Sequence, residues 1–231
     1  QRQMCIRDSP IYWATGNLIA TKTGEESSQT PTTTVAFHIA TAEETAVEGT
    51  VDSPYVAPTG IIESATNGYS ACSIGTKWNA FGWGDASGLM TSKADADYVF
   101  TVTSSNISGT EHDICHVQLG GNWRLPVYKK ELKNITAMLN LENSWFSNSG
   151  NSGRKCSYTL PGTSVTNTLV FPAAGYRRGA KAEKNGIRGC YWSGSILSGE
   201  YFCFLEVVEK EAADLIDFER FWGFTIRPVS E

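Results

Sequence analysis

The chain has 231 residues, a mass of 25.2 kDa and a formal net charge of −5. Aromatic residues make up 11% of it, enough to fill a sizeable core, which excludes a wholly disordered chain. The acidic balance disfavours a general nucleic-acid binder, because neutralising phosphates requires clustered lysine and arginine. No apolar run approaches the ~20 residues of a membrane-spanning helix.

The first nine residues, QRQMCIRDS, are not typical of a domain start. They do not form a signal peptide, because no apolar segment follows the basic residue. The string resembles the translated sequencing-adaptor remnant found in metagenomic assemblies. We therefore expect residues 1–9 to be a non-native leader outside the fold, with any signal or lipid-anchor segment missing upstream. Residues 11–231 are expected to form a single domain.

The N-terminal part of that domain, residues 11–106, is expected to be rich in loops. Its segments, in chain order, are an opening strand or hairpin over 11–20, a polar loop over 21–34, a short strand over 35–40, and a stretch with no element that can be placed over 41–77. Trp78, Phe81 and Trp83 then lie among glycines. Aromatic residues on such a segment favour close backbone packing over a core.

Two helices are predicted in the middle of the chain. Thr110 suits the N-terminal cap of a helix over 110–119, which a glycine pair ends. Pro126 suits the first turn of a second helix over 126–140, in which leucine and isoleucine recur at helical spacing. Residues 146–155, rich in serine, asparagine and glycine, are expected to be a flexible loop.

After residue 156 the sequence becomes typical of β-strands, with turn residues at the spacing of an antiparallel sheet. The predicted strands are 168–171, 187–193, 201–208, 215–218 and 224–229. Strands followed by two helices and then by many strands indicate an α+β fold.

Seven short strings occur in an order that resembles the Fibrobacter-type major paralogous domain and its relatives in gut Bacteroidetes. They are WATGNL (13–18), FGWGD (81–85), ISGT (107–110), LGGNWRLP (119–126), FPAAGY (171–176), GCYWS (189–193) and GFTIRPV (223–229). This group belongs to the C-type-lectin-like fold, beside formylglycine-generating-enzyme-like domains, and is similar to variable proteins diversified by retroelements. Val127 and Gly194 depart from the pattern, which usually has a threonine and a second serine there.

The resemblance implies two helices packed on a twisted antiparallel sheet. It also implies that the first strand, near 12–17, pairs with the last strand, near 224–229. The motif residues interpreted as structural are Trp123, Arg124, Trp192 and Arg227. An arginine in such a motif commonly satisfies backbone carbonyls or pairs with a carboxylate.

The cysteines are widely spaced along the chain, at Cys5, Cys72, Cys115, Cys156, Cys190 and Cys203. They form no CxxC pair, and no His/Cys cluster has the spacing of zinc ligands. Buried free thiols and a few long-range disulfides are both compatible with this spacing. Cys190 and Cys203 could form a bridge in an extracellular protein if their strands are adjacent.

The sequence contains no nucleophile elbow, phosphate-binding loop or His-Glu-x-x-His string. Cys115 and His116 are neighbours on the predicted helix and so do not face each other. His112 and His116 lie one turn apart without a third metal ligand, and we interpret them as exposed helix surface. We therefore expect no metal and no cofactor. The calcium-dependent sugar strings of lectins are missing too, so the fold implies no such sugar site.

Three functions are compatible with these observations. The first is a non-catalytic, adhesin-like or receptor-like module, extracellular or at a cell surface, whose partner is a protein or glycan on another cell or on a phage-host surface. The second is an oxidoreductase of the formylglycine-generating type, whose relatives are copper-dependent and use a pair of cysteines. The third is a structural subunit of a surface appendage. The missing catalytic constellation favours the first, with no nucleic-acid partner and with membrane attachment only through a missing N-terminal anchor.

The resemblance also implies where a ligand would bind. In the retroelement-diversified relatives the varied positions lie in the C-terminal stretch and point outward from a rigid scaffold. The corresponding candidates here are Tyr191, Ile196, Leu197, Glu200, Tyr201, Asp217, Phe218, Glu219, Phe221 and Trp222. The aromatic side chains would be anchors, and the carboxylates would favour a ligand with basic or hydroxyl groups.

Overall fold

Antiparallel β-sheet dominates the part of the chain that the structure describes. The computed structural model describes residues 2–6, 9–25, 32–55, 73–88, 104–141, 144–148, 150–159, 164–178, 181–198, 201–219 and 222–231. Strands account for 47% of it and helices are few. This agrees with the expected α+β class, with β-structure predominant.

The strands, in chain order, are β1 (Arg2–Ile6), β2 (Ser9–Trp13), β3 (Leu18–Glu25), β4 (Thr32–Ile39), β5 (Lys77–Trp78), β6 (Trp123–Arg124), β7 (Trp145–Asn148), β8 (Asn151–Thr159), β9 (Thr166–Pro172), β10 (Tyr176–Arg178), β11 (Lys181–Glu183), β12 (Arg188–Ser198), β13 (Tyr201–Val208), β14 (Asp214–Glu219) and β15 (Val229–Ser230). The helices are α1 (Ala42–Glu48), α2 (Ile114–Leu119) and α3 (Lys133–Leu141). A π-helical turn, Tyr128–Leu132, runs directly into α3.

The strands form one four-stranded sheet, β1-β2-β15-β6, three three-stranded sheets, β4-β3-β5, β7-β8-β9 and β12-β13-β14, and the pair β10-β11. The expected pairing of the chain ends is confirmed, because Tyr12 lies opposite Ser230 and Trp13 opposite Val229. Residues 224–229, however, are not one strand. Phe224 makes only an isolated bridge to Phe81 before β15 begins.

Part of the segment expected to lie outside the fold, Arg2–Ile6 and Ser9, is paired in the structure. Strand β1 pairs along its whole length with β2, from Arg2 opposite Trp13 to Ile6 opposite Ser9. The pairing has a simple physical reason, because the free backbone edge of β2 can bind any extended segment whatever its side chains.

Two predicted loops are hairpins instead. Residues 21–25 and 32–34 of the first predicted loop belong to β3 and β4, which pair from Leu18 opposite Ile39 to Glu25 opposite Thr32. Residues 146–155 contribute to β7 and β8, which reverse next to Gly150, at φ +87°. Threonine-rich and glycine-containing segments resemble loops in composition, but threonine is a strand former and glycine permits the tight turn.

The helix starts also differ from expectation. Asp113, and not Thr110, caps α2, since its Oδ1 accepts from the Cys115 backbone N–H at 2.8 Å. Helix α1 lies in the stretch where no element could be placed. There Thr41 and Glu44 form a reciprocal capping box.

Strand β13 separates two hydrophobic cores. On one side Phe202 and Phe204 pack with aromatic residues that include Trp192 and Phe224. On the other side Leu205 and Val207 pack with the apolar face of α3. From Phe202 to Val208, strand β13 is therefore buried on both faces. It fixes the β12-β13-β14 sheet, which we call the C-terminal sheet, inside the protein.

The two departures from the resembling family have structural reasons. A Cβ atom at Gly194 would lie 2.8 Å from the Ser108 backbone nitrogen, so the backbone approach there requires glycine. Val127 offers no side-chain cap. Instead, the buried Glu131 accepts from the Val127 N–H at 2.7 Å and from Arg124 at 2.8 Å.

Candidate functional site: the outer end of the C-terminal sheet

The register of the C-terminal sheet divides the predicted ligand-binding residues between two faces. Tyr201 lies opposite Glu219, and Phe202 lies opposite Phe218. Because successive side chains of a strand alternate between faces, Tyr201 and Glu219 share one face and Phe218 lies on the other. A single ligand surface containing all the candidates is therefore not formed.

The first group lies at the end of the β12–β13 hairpin. Tyr201 is 49% exposed and Leu197 is 48% exposed. Leu197 is the unpaired residue of a bulge between Ile196 and Ser198, which explains why so apolar a side chain is exposed. We call Leu197, Tyr201, Asp217 and Glu219 the hairpin surface.

The hairpin surface carries acidic groups beside its apolar ones. Glu219 is exposed, and Asp217 is partly buried opposite Cys203. Burial, together with the charge of Asp217, raises the pKa of the Cys203 thiol to about 11, and the charge of Lys129 in the π-helical turn opposes this rise. Asp217 and Lys129 therefore act on the same thiol with opposite sign.

The second group is an aromatic cluster on the opposite face. Phe218 and Trp222 meet edge to face, with ring centroids 4.4 Å apart, and Tyr176 lies 5.0 Å from Trp222. The guanidinium of Arg178 covers the Trp222 ring at 5.1 Å. We call Tyr176, Arg178, Phe218 and Trp222 the Trp222 cluster. Its rings are only partly buried at Phe218 and Trp222.

The four remaining candidates do not contribute a described, exposed side chain. Tyr191 is 1% exposed, and its hydroxyl donates to the Pro172 carbonyl. The prediction that Tyr191 belongs to a ligand-binding face is wrong, since β12 is buried on both faces at that position. Glu200 and Phe221 lie outside the described residues. Ile196 is half-buried and packs against the Trp192 core.

A buried polar network fixes the frame beneath the sheet. Arg227 is stacked over Phe171 at 5.0 Å and donates to the Ala14 carbonyl and to Asn17. Asn17 in turn donates to the carboxylate of Glu48, which is fully buried. The structural interpretation of Arg227 is thus confirmed, because it satisfies backbone carbonyls as expected.

The cysteine geometry is clear for Cys115, Cys156, Cys190 and Cys203, which are buried free thiols. Cys190 lies opposite Glu206, whereas Cys203 lies opposite Asp217. The residue opposite Cys190, Glu206, is thus three positions from Cys203 along β13. Because this number is odd, the two thiols lie on opposite faces of the sheet, which rules out a bridge between them.

Within the described ranges, no group of three or more His, Cys, Asp or Glu side chains is placed to hold a metal ion. His112 precedes α2 and lies beside Glu111 at 3.6 Å, so it does not share a helix face with His116. No helix among the described residues has the length and apolar character to cross a membrane.

Comparisons with protein-family models, with curated proteins and with solved structures found no match to this chain.

Sequence reasoning missed Tyr176 and Arg178 as members of the Trp222 cluster. In the sequence, Tyr176 stood out only as the last residue of the FPAAGY string, and Arg178 follows it by two residues. Side chains two apart on a strand share a face, so their common orientation could be predicted. Their partner, 44 positions after Arg178, could not.

Proposed function

We propose that the protein is a non-catalytic ligand-binding module of the C-type-lectin-like fold, displayed at a cell or phage surface. The partner is a protein or glycan on another cell, and the contact is made by the hairpin surface. One observation carries this proposal. Leu197 and Tyr201 are each about half exposed at the end of a hairpin whose other described side chains are buried or partly buried.

The physical argument is that the binding residues are already ordered before the ligand binds. A ligand surface on a rigid frame binds more tightly because little conformational entropy is lost on binding. Tyrosine offers a large amphipathic contact area with few rotatable bonds. Strand β13 leads from the fully packed Phe204 and Leu205 to the exposed Tyr201 within four residues. The acidic Glu219 beside it favours basic or hydroxyl-bearing partners.

The cysteine arrangement favours this role over an oxidoreductase of the formylglycine-generating type. That chemistry needs two cysteines that work as a pair, and Cys190 and Cys203 lie on opposite faces of a sheet. Burial also raises the pKa of both thiols, which disfavours the reactive thiolate. Purified protein should bind no stoichiometric copper, and both thiols should react with a thiol reagent only after unfolding.

The test uses labelled protein on a panel of intact bacterial and epithelial cells, untreated, protease-treated or periodate-treated. Tyr201→Ala and Leu197→Ser should each weaken binding at least several-fold. Leu141→Ser is the matched control, because Leu141 is 81% exposed at the far end of α3. Loss of binding after protease or after periodate identifies a protein or a glycan. Equal binding by all three variants, or no binding to any cell, contradicts the proposal.

A further inference from the structure

A cleft of about 450 Å³ lies between α1 and the outer face of the β7-β8-β9 sheet. Its helix wall consists of Ala42, Thr45 and Ala46, which share one face of α1. A helix packed on a sheet normally fills this interface with large aliphatic side chains. Here the side chains are too small to do so. The cleft has the volume of a small-molecule site, for which ~300–1,000 Å³ is typical.

The sheet wall is formed by Phe146, Lys155, Thr168 and Val170. Lys155 lies opposite Val170 in the β8–β9 ladder. The residues that alternate with them point into the protein, where they are buried in or beside the second core: Arg154, Cys156, Leu169 and Phe171. The wall is therefore fixed by a packed sheet and does not depend on a ligand for its shape.

The ends of the cleft are polar and uncharged. Asn148 and Asn151 line it at the β7–β8 turn, and Thr15 and Thr41 line it beside α1. Lys155 is the single charged residue among the described residues that line the cleft. The acidic Glu44 of α1 is engaged elsewhere, by Lys77 and by His38 at 2.8 Å.

A second cation lies behind the sheet wall. Arg227 is buried and donates from Nη2 to the carbonyl oxygen of Val170, whose side chain lines the cleft. The cleft itself thus combines one accessible ammonium group with hydroxyl and amide groups, and the guanidinium of Arg227 lies behind its wall. Apolar carbons of Ala42, Ala46 and Phe146 complete its lining.

We propose that this cleft binds a hexuronic acid, free or as the terminal residue of a polysaccharide. The carboxylate of the sugar accepts from the Lys155 ammonium. Its hydroxyls exchange hydrogen bonds with threonine hydroxyls and asparagine amides, and its C–H face packs on Phe146. A phosphate ligand would need several cations or a cradle of backbone N–H groups, and an apolar ligand would leave the hydroxyls and amides unpaired.

Isothermal titration of the whole chain with glucuronate and galacturonate tests the proposal. Both neutral parent hexoses and a uronate-terminated trisaccharide are titrated in parallel. Lys155→Met should weaken uronate binding about tenfold or more, as expected for a lost charged hydrogen bond. Ala46→Leu should abolish binding by filling the cleft. The matched controls are Lys181→Met, an exposed lysine on β11, and Val47→Leu on the other side of α1; neither should change binding.

Binding of the trisaccharide alone identifies a polysaccharide end as the ligand, and binding of the free uronates identifies the monosaccharide. The proposal is overturned if no uronate binds at millimolar concentrations, or if neutral hexoses bind equally well. It is also overturned if Lys155→Met and Ala46→Leu behave like their controls. The cleft and the hairpin surface are independent, so Tyr201→Ala should leave uronate binding unchanged.

Discussion

Two neighbouring residues of β13 differ sharply in burial, since one belongs to the packed core and the other to the exposed hairpin surface. Phe202 is 3% exposed and stacks with Trp83 at 4.2 Å, whereas its neighbour Tyr201 is 49% exposed. Phe202 belongs to a core of interlocking rings, and Tyr201 belongs to the hairpin surface. Large aromatic residues in this chain therefore have two unrelated tasks. Composition alone cannot distinguish them, because the difference depends on strand register and on position along the hairpin.

The largest loss of stability is expected for a substitution in the most densely packed part of the aromatic core. Trp192 is fully buried, lies 4.2 Å from Phe224, and donates from its indole nitrogen to the Phe81 carbonyl at 2.8 Å. Trp192→Ala should lower the free energy of unfolding by about 3–5 kcal/mol, because it leaves a cavity and removes the indole hydrogen bond. The Phe81 carbonyl keeps its second donor, the Phe224 backbone N–H at 3.1 Å. Urea denaturation measures this value. A loss below about 1 kcal/mol would show that the core relaxes around the change.

The frame was partly predictable from sequence. The stripe Leu132, Ile135 and Leu139 is buried as the helical spacing predicts, and β13 has the predicted bounds. These elements carry a strong local pattern, either apolar residues at helical spacing or a continuous apolar strand. Helix α1 has no such pattern, because the face toward the sheet carries alanine and threonine. Because these residues are small, α1 could not be predicted from the sequence, and the same small side chains leave the cleft open.

The candidate site was predicted less well, for a physical reason. Tyr191 and Trp192 are adjacent, and alternation would place one of them outside if the strand had a solvent face. Strand β12 is instead covered on both sides there, so both rings are buried. Burial on two faces depends on how distant segments stack, which single-sequence patterns do not encode.

A second test concerns the buried carboxyl group of Glu48 and its effect on stability at different pH values. Burial raises the pKa of Glu48 to about 7, although hydrogen bonds from Asn17 and the charge of Arg227 oppose this. The folded-state pKa thus lies above the unfolded value of ~4.3. The contribution of Glu48 to stability is complete below pH ~4.3 and is lost as the pH rises through about 7. Glu48→Gln should therefore gain stability over the wild type between pH 5 and pH 8, by about 3 kcal/mol at most.

Glu44, one turn earlier on α1, is the matched control with the opposite sign. Burial would raise its pKa, but hydrogen bonds from Lys77, Thr41 and His38 prevail and lower it to about 2. Its stabilising contribution is present above pH ~4.3 and is lost as the pH falls toward about 2. Glu44→Gln should therefore be less stable than the wild type at pH 7, with the difference vanishing in acid. Parallel pH profiles for both variants would contradict these assignments.

The smallest effect on stability is expected at the hairpin surface, where Tyr201 offers the sharpest contrast with Phe202. Tyr201→Ala removes a half-exposed ring from the first residue of β13. It should lower the free energy of unfolding by about 1 kcal/mol or less, because only strand propensity and partial burial are lost. Phe202→Ala, one residue later, should cost about 3 kcal/mol or more. Thermal and urea denaturation of the two variants side by side measures the contrast. Equal losses of stability in the two variants would mean that Tyr201 is part of the packed core. The hairpin surface would then lack the aromatic residue on which the proposed ligand contact depends.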